Sequence, residues 1–140
     1  MKDGGYATPE QAAMVGFPPQ HSRVVASRVD EDLAYVLLNT GSAERPYLYG
    51  VNCRREDGRW FEGSSSNAPG WSCAGDDPDV GTLSFWDDAP AGADMVRVEF
   101  QGRVIEAPVV DRAFLVAWWR VPPPDDRPQA VAFRVNGRWK

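Results

Sequence analysis

Most of the chain alternates between apolar and polar positions with a period of two residues, which is typical of β-strands that bury one face. The clearest segments of this kind lie at 22–29, 33–39, 47–55, 95–100, 103–109 and 130–135. Turn-forming residues separate these segments at intervals of roughly ten residues. The pattern predicts an all-β fold, an antiparallel β-sandwich or a partly open barrel of about nine or ten short strands.

Glycine turns mark the points where the predicted strands reverse. Three of them share a Gly-Arg pair: Asp57-Gly58-Arg59, Gln101-Gly102-Arg103 and Asn136-Gly137-Arg138. Asp-Gly and Asn-Gly readily adopt the positive φ angles of a tight turn, so each site predicts a two-residue hairpin. Pro108 cannot donate to a ladder of hydrogen bonds, which places the end of its strand at a sheet edge or a bulge.

One short helix is predicted before the first strand. Thr8 can cap its first turn, Pro9 suits the first helical position, and Gln11 completes a capping pattern. Gly16 and the prolines that follow end the helix within about two turns. We expect it to plug an open end or edge of a sheet through three apolar side chains, Met14, Val15 and Phe17.

The segment 63–79 interrupts the strand pattern with small, polar and turn-forming residues, and it is predicted to be a loop. The 140 residues suit a single β domain, 1–140, because halves of about 60 to 70 residues would each have a marginal core. A two-lobed organisation, 1–63 and 80–140 joined by the loop, is the alternative. Both halves contain a Gly-Arg-Trp sequence, so a second alternative is that the two halves are copies of one duplicated unit.

Charge and cysteine content limit the classes of partner. The net charge of −5 argues against nucleic acids and anionic membranes, because phosphate groups are recognised by clustered positive charge. No apolar stretch has the roughly 18 residues of a membrane span, and the start of the chain lacks the apolar core of a secretory signal. We therefore expect a cytoplasmic protein in which Cys53, on a strand, and Cys73, in the loop, are free thiols.

Candidate chemistry is sparse, and we expect a non-catalytic protein without a cofactor. His21 is the single histidine, and no nucleophile elbow accompanies it. We also expect no metal site, because the acidic runs do not follow the EF-hand spacing and Asp favours turns. The residues that could nevertheless provide oxygen ligands are Asp76, Asp77 and Asp79 in the loop. The segment 87–94, which begins with two further aspartates, is predicted to be a turn region.

Tryptophans and one asparagine are the candidate binding residues. Asn67 and Trp71 lie in the predicted loop, where recognition residues are common. Trp71 either folds back onto the core, which we favour, or stands available as a contact. Trp118 and Trp119 point to opposite faces of the segment 113–119, which is apolar on both sides, so one of them can form an exposed patch. The remaining candidate is Trp86.

Two functions follow from these observations. The first is a small protein that binds a protein partner or a second copy of itself and catalyses nothing. The alternative is a sheet that encloses a pocket and binds or acts on a small apolar ligand.

Overall fold

A computed structural model of the chain describes residues 4–42, 44–74, 81–121 and 126–140. Within these ranges it contains eleven antiparallel β-strands, one short α-helix and a single 3-10 turn. The predicted all-β class with one N-terminal helix is therefore confirmed. Contacts between Cα atoms divide the chain into two units, Met1–Ala68 and Pro69–Lys140. The single domain and the two-lobed alternative both stay predictions.

The first unit contains one antiparallel sheet of four strands in the order β1-β2-β3-β4. The strands are β1 (Arg23–Asp30), β2 (Leu33–Asn39), β3 (Leu48–Glu56) and β4 (Arg59–Ser66). Neighbours in the sequence are also neighbours in the sheet, so the topology is a simple meander. Glu31, with a positive φ of 53°, lies in the turn between β1 and β2.

The helix α1 (Pro9–Ala13) packs on the face of this sheet and completes the core of the first unit. The Thr8 hydroxyl accepts a hydrogen bond from Gln11 N at 3.2 Å, which confirms the predicted cap. The prediction that the helix plugs an end or edge of a sheet was wrong. Two helical alanines, Ala12 and Ala13, are fully buried, whereas Val15 is 46% exposed. Small side chains lie against the sheet because they permit the backbone of the helix to approach closely.

The core of the first unit joins α1 to three of the four strands. Its buried members are Ala12, Ala13, Ala34, Val36, Leu38, Val51, Cys53 and Trp60. Met14 and Phe17, two of the three side chains predicted to contact a sheet, pack against this cluster, as does Tyr49. Val51 and Cys53 share a face with Tyr49, as the period of two in this segment predicts.

The second unit is a sandwich of two antiparallel sheets. One sheet has the order β5-β6-β9 and the other has the order β11-β10-β7-β8. The strands are β5 (Gly70–Ala74), β6 (Thr82–Asp88), β7 (Ala93–Phe100), β8 (Arg103–Pro108), β9 (Ala113–Trp119), β10 (Gln129–Val135) and β11 (Arg138–Trp139).

Aromatic and β-branched side chains from both sheets fill the sandwich. The buried members are Phe85, Ala89, Val96, Val98, Ala107, Phe114 and Val116. Phe85 and Phe114 meet with ring centroids 5.3 Å apart, and Phe133 lies 6.0 Å from Phe114. One continuous cluster thus links β6 and β9 to β7 and β8.

All three Gly-Arg turns are confirmed as two-residue hairpins. Gly58, Gly102 and Gly137 have φ angles of 76°, 75° and 76°, and the residue before each glycine also has positive φ. The structure also contains a turn that the sequence pattern did not predict. Asp111 and Arg112, with φ of 53° and 61°, form it, and two backbone hydrogen bonds of 2.9 Å join Val110 to Ala113 across it.

Residues 75–79 of the predicted loop at 63–79 lie outside the described part of the chain. For most of the rest, the loop prediction was wrong. Its start belongs to β4 and its middle to β5. Each is an edge strand that pairs on one side, so backbone hydrogen bonds hold it without a strong apolar pattern. Cys73 is therefore a strand residue. The predicted turn at 87–94 was also wrong at both ends, because Asp87 and Asp88 end β6 and Ala93 begins β7.

Candidate functional site

The first candidate site is a free edge of the four-stranded sheet in the second unit, and strand β8 forms this edge. β8 is the last strand in the order β11-β10-β7-β8, and in the part of the chain that the structure describes no strand pairs with its outer side. Pro108 ends the strand, as the prediction of an edge or bulge requires. Five of its six residues are exposed, so this edge is open to another chain.

The backbone of β8 presents alternate groups to its partner β7 and to the outside. The two-residue turn makes Phe100 and Arg103 a hydrogen-bonded pair. Val109 N donates to Asp94 O at 3.0 Å, which agrees with this alternation at the other end of the hairpin. The N–H and C=O groups of Val104 and Glu106 therefore point outward. Within the described residues these groups have no hydrogen-bond partner.

Apolar side chains accompany the outward backbone groups. Val104 is 54% exposed and Ile105 is 37% exposed. Ile105 lies opposite the buried Val98 and thus at the rim of the sandwich interior, whereas Val104 lies opposite Glu99 on the outer face. A strand with exposed β-branched side chains and unpaired backbone groups is a template for a further strand.

A network on the outer face holds Glu106 in place. The Arg97 guanidinium donates to the Glu106 carboxylate at 3.0 Å and lies 3.8 Å from the centroid of the Trp139 ring. Both side chains are partly exposed, at 39% and 46%, so the pair adds little stability. It nevertheless directs the Glu106 side chain toward β7 and away from the free edge.

An open cleft at one end of the sandwich is the second candidate site. It has a volume of about 380 Å³. Its lining residues are Asp87, Asp88, Ala89, Pro90, Arg112, Phe114, Ala130 and Phe133. All of them belong to the second unit. The cleft thus combines two aromatic rings with carboxylate and guanidinium groups.

The position of Asp87 is the unusual feature of this cleft. Asp87 pairs with Phe114 across β6 and β9, so its carboxylate lies on the inner face of the sheet. Its Oδ1 atom accepts a hydrogen bond from Asp88 N at 2.8 Å. Burial, reinforced by the Asp88 side chain, raises the pKa of Asp87 from 3.8 to about 6. The sequence placed this residue in a turn, and only the cross-strand register reveals the neighbouring aromatic rings.

The predicted tryptophan sites fall on different surfaces. Trp71 and Trp118 lie on the inner face of the three-stranded sheet and pack against the core of the second unit. Trp86 is 2% exposed and, by the alternation of β6, lies on the opposite face. Trp119 is on that same opposite face and is half-buried. Trp118 and Trp119 therefore point to opposite faces, as predicted, and the fold-back of Trp71 onto the core is observed.

The remaining predicted residues are one asparagine and three aspartates. Asn67 belongs to the first unit and donates to the Tyr47 hydroxyl at 3.2 Å. Asp76, Asp77 and Asp79 are outside the residues that the structure describes. Among the described residues, no three His, Cys, Asp or Glu side chains group closely enough to hold a metal ion. The four predicted tryptophans thus do not share one face of the three-stranded sheet.

His21 lies in the first unit at the wall of another open cleft, which has a volume of about 490 Å³. Ser22, Arg23 and Thr40 line the same cleft. The Arg23 guanidinium donates to Gly41 O at 3.1 Å, so this cation supports the local backbone.

Comparisons with known proteins give no family assignment. No family model matches the chain, and no curated protein and no solved structure matches it either. In the described ranges, no helix has the length and apolar character needed to cross a membrane. The β8 edge and the cleft are therefore the features from which a function can be inferred.

Proposed function

We propose that this chain is a non-catalytic interaction protein that associates with a second copy of itself through the free edge of β8. One observation carries the proposal: the outward backbone groups of Val104 and Glu106 lie unpaired, within the described residues, on a strand with exposed apolar side chains. Addition of a strand to such an edge is a common mode of protein recognition.

One antiparallel register between two copies satisfies all of these groups. It places Val104 opposite Glu106 of the second copy, and about four backbone hydrogen bonds then join the two strands. A shift in one direction brings the two Glu106 carboxylates together and places Val104 opposite Pro108, which has no N–H to donate. A shift in the other direction brings Glu106 opposite Gly102, which lies in the turn. The strand is therefore complementary to itself in a single register.

The same register has a consequence for the side chains. Ile105 meets Ile105 of the second copy in a pair without backbone hydrogen bonds, where opposite side chains approach most closely. The partly exposed isoleucine is then covered. The net charge of −5 on each copy opposes association, so we expect a weak dimer that salt strengthens.

Sedimentation equilibrium over a range of protein concentrations tests this function. Val104→Pro removes one outward N–H and leaves the hydrogen bonds to β7 in place, because the backbone groups of Val104 do not pair with that strand. Val104→Ala is the matched control, since it shortens the side chain and keeps the N–H. We expect a monomer–dimer equilibrium for the wild type and for Val104→Ala, and a folded monomer for Val104→Pro.

A charge exchange at Ile105 tests the register. Ile105→Glu and Ile105→Lys each place like charges opposite one another in a symmetric dimer, so each variant alone is expected to stay monomeric. An equal mixture of the two is expected to form a heterodimer. A wild-type chain that stays monomeric at every concentration, or a Val104→Pro chain that still dimerises, contradicts the proposed function.

Partner class and location complete the proposal. The partner is a protein rather than a nucleic acid, which the net charge of −5 supports. The proposed location is the cytoplasm, since the free thiols Cys53 and Cys73 suit a reducing compartment. The alternative function, binding of a small apolar ligand, is supported by the cleft in the second unit and by its aromatic wall.

A further inference from the structure

We infer that the cleft at the end of the second unit is a binding site for a small organic cation with an apolar or aromatic body. This site is separate from the β8 edge and does not depend on dimerisation. The volume of about 380 Å³ lies at the lower end of the range for small-molecule sites, which begins at about 300 Å³. A ligand of the size of a phenylalkyl amine fits such a space.

The inner face of the sheet determines the apolar part of the ligand. Phe114 is 1% exposed and Phe133 is half-buried, and both line the cleft. Their ring centroids lie 6.0 Å apart at an interplanar angle of 58°, and the half-buried Phe133 is the ring whose surface a ligand can cover. Aromatic and aliphatic groups gain free energy from covering such rings.

The carboxylate of Asp87 determines the charged part. Asp87 lies two residues after Phe85, on the same face of β6, and opposite Phe114 of β9. Its only hydrogen-bond partner within the described residues is its neighbour Asp88, and no described basic side chain forms an ion pair with it. A half-buried carboxylate beside aromatic rings favours a cation, since the carboxylate attracts it and the ring faces do so too.

The other charged groups of the cleft are compatible with this ligand. Asp88 adds a second negative charge. Arg112 also lines the cleft, and its Nε–H donates to Ala89 O at 3.3 Å. Ala89 N in turn donates to Arg112 O at 2.7 Å, so the Asp111-Arg112 turn is tied to the end of β6. Two carboxylates and one guanidinium leave the lining with a negative charge.

Three probes of equal shape and different charge test the inference. The probes are phenethylammonium, neutral phenethyl alcohol and anionic phenylacetate, and binding to the full chain is followed by NMR chemical shifts at pH 7.5. We expect the ammonium ion to bind about tenfold more tightly than the alcohol and the anion to bind least. The expected shifts are at Asp87, Phe114 and Phe133.

Matched variants locate the charge that selects the cation. Asp87→Asn is expected to lower the affinity for phenethylammonium about tenfold and to leave the affinity for the alcohol unchanged. Glu99→Gln removes the same charge from the exposed outer face of β7 and is expected to change neither. Phe133→Leu, which is expected to preserve the fold, weakens both probes.

Several outcomes would overturn the inference. These are equal affinity for the ammonium ion and the alcohol, equal loss in Asp87→Asn and Glu99→Gln, or no shift at the cleft with any probe. Equal affinity would favour an uncharged apolar ligand instead. Because dimerisation is measured separately with the Val104 variants, failure of this site and failure of the β8 proposal are distinguishable.

Discussion

The Asp87 carboxylate and the Phe114 ring lie opposite one another on the inner face of the three-stranded sheet. Phe85 and Val116, which pair in the same way on the same face, are both buried core residues. An acidic side chain thus occupies the last inward position of a strand whose other inward positions are apolar. The open end of the sandwich gives this carboxylate partial access to solvent, which is why it can be charged there at all.

The stability of the fold should depend on pH through Asp87. Because its pKa is raised from 3.8 to about 6, the folded chain binds more protons than the unfolded chain between these values. The free energy of unfolding therefore decreases as the pH rises through this window and stays lower above it. Asp87→Asn removes the charge and keeps an oxygen to accept the Asp88 N–H. We expect the variant to melt a few degrees higher than the wild type at pH 7.

The difference in melting temperature between Asp87→Asn and the wild type should vanish below pH 3.8, where Asp87 is protonated in both the folded and the unfolded chain. Thermal melts followed by circular dichroism at acidic and neutral pH provide the measurement. Glu99→Gln, which also removes one negative charge, serves as the control. An Asp87→Asn variant that melts lower than the wild type at pH 7 would contradict this prediction.

Replacement of Trp71 should lower stability, because the ring packs against the core of the second unit. Trp→Ala substitutions in cores cost about 3 to 5 kcal/mol, and a half-buried ring is expected to cost less, about 2 kcal/mol. Urea unfolding followed by the fluorescence of the other tryptophans measures the effect. Trp71→Phe is the matched control and should retain most of the stability. An unchanged urea midpoint in Trp71→Ala would contradict the prediction and would show that packing of the Trp71 ring does not stabilise the fold.

Two glycines separate the cost of backbone conformation from the cost of a steric clash. Gly58 has a φ of +76° in the hairpin between β3 and β4, and a methyl group there would meet no atom within 4 Å. A methyl group at Gly16 would also meet nothing, and its φ is not in the positive range. We expect Gly58→Ala to destabilise the chain by about 1 kcal/mol and Gly16→Ala to be neutral or slightly stabilising. Equal effects in urea unfolding would contradict the prediction.

The two thiols should differ in reactivity toward a disulfide reagent. Burial, together with smaller contributions from the charges of Glu62 and Glu10, raises the pKa of Cys53 to about 12. The thiol is 1% exposed, and a reagent needs both access and a thiolate. In native protein at pH 8 we expect the Cys73→Ser variant to react only as fast as the chain unfolds. The Cys53→Ser variant, which keeps the half-buried Cys73, should react faster. Equal rates would indicate that the first unit opens readily.

The β8 edge shows what local sequence could and could not predict. The Gln101-Gly102 turn and the alternation on both sides of it specify the hairpin of β7 and β8, and Pro108 indicates an edge. The sequence did not show that β7 pairs on its other side with β10. That pairing joins segments far apart in the chain, and it leaves β8 as the edge strand. Local sequence patterns cannot predict it, because they do not show which distant strands pair.

The residues from 63 onward show where a composition rule fails. Gly, Ser and Asn are common in loops, yet Gly70–Ala74 forms β5 because β6 supplies a partner for its backbone. Trp71 and Cys73 then alternate with small residues, which is a strand pattern too short to recognise beside so many turn formers. The binding residues predicted from tryptophan content were dispersed for a related reason, since alternation sends neighbouring tryptophans to opposite faces.

The sequence by itself determined the hairpins, the helix cap and the all-β class, because each of these depends on residues close together in the chain. Positive φ at glycine, capping by Thr8 and a period of two are local properties. Only the tertiary structure decided which strand is left at the edge of a sheet and that the Asp87 carboxylate faces Phe114 and the cleft. Both depend on which strands lie side by side and in which register, and a shift by a single residue would turn Asp87 to the opposite face.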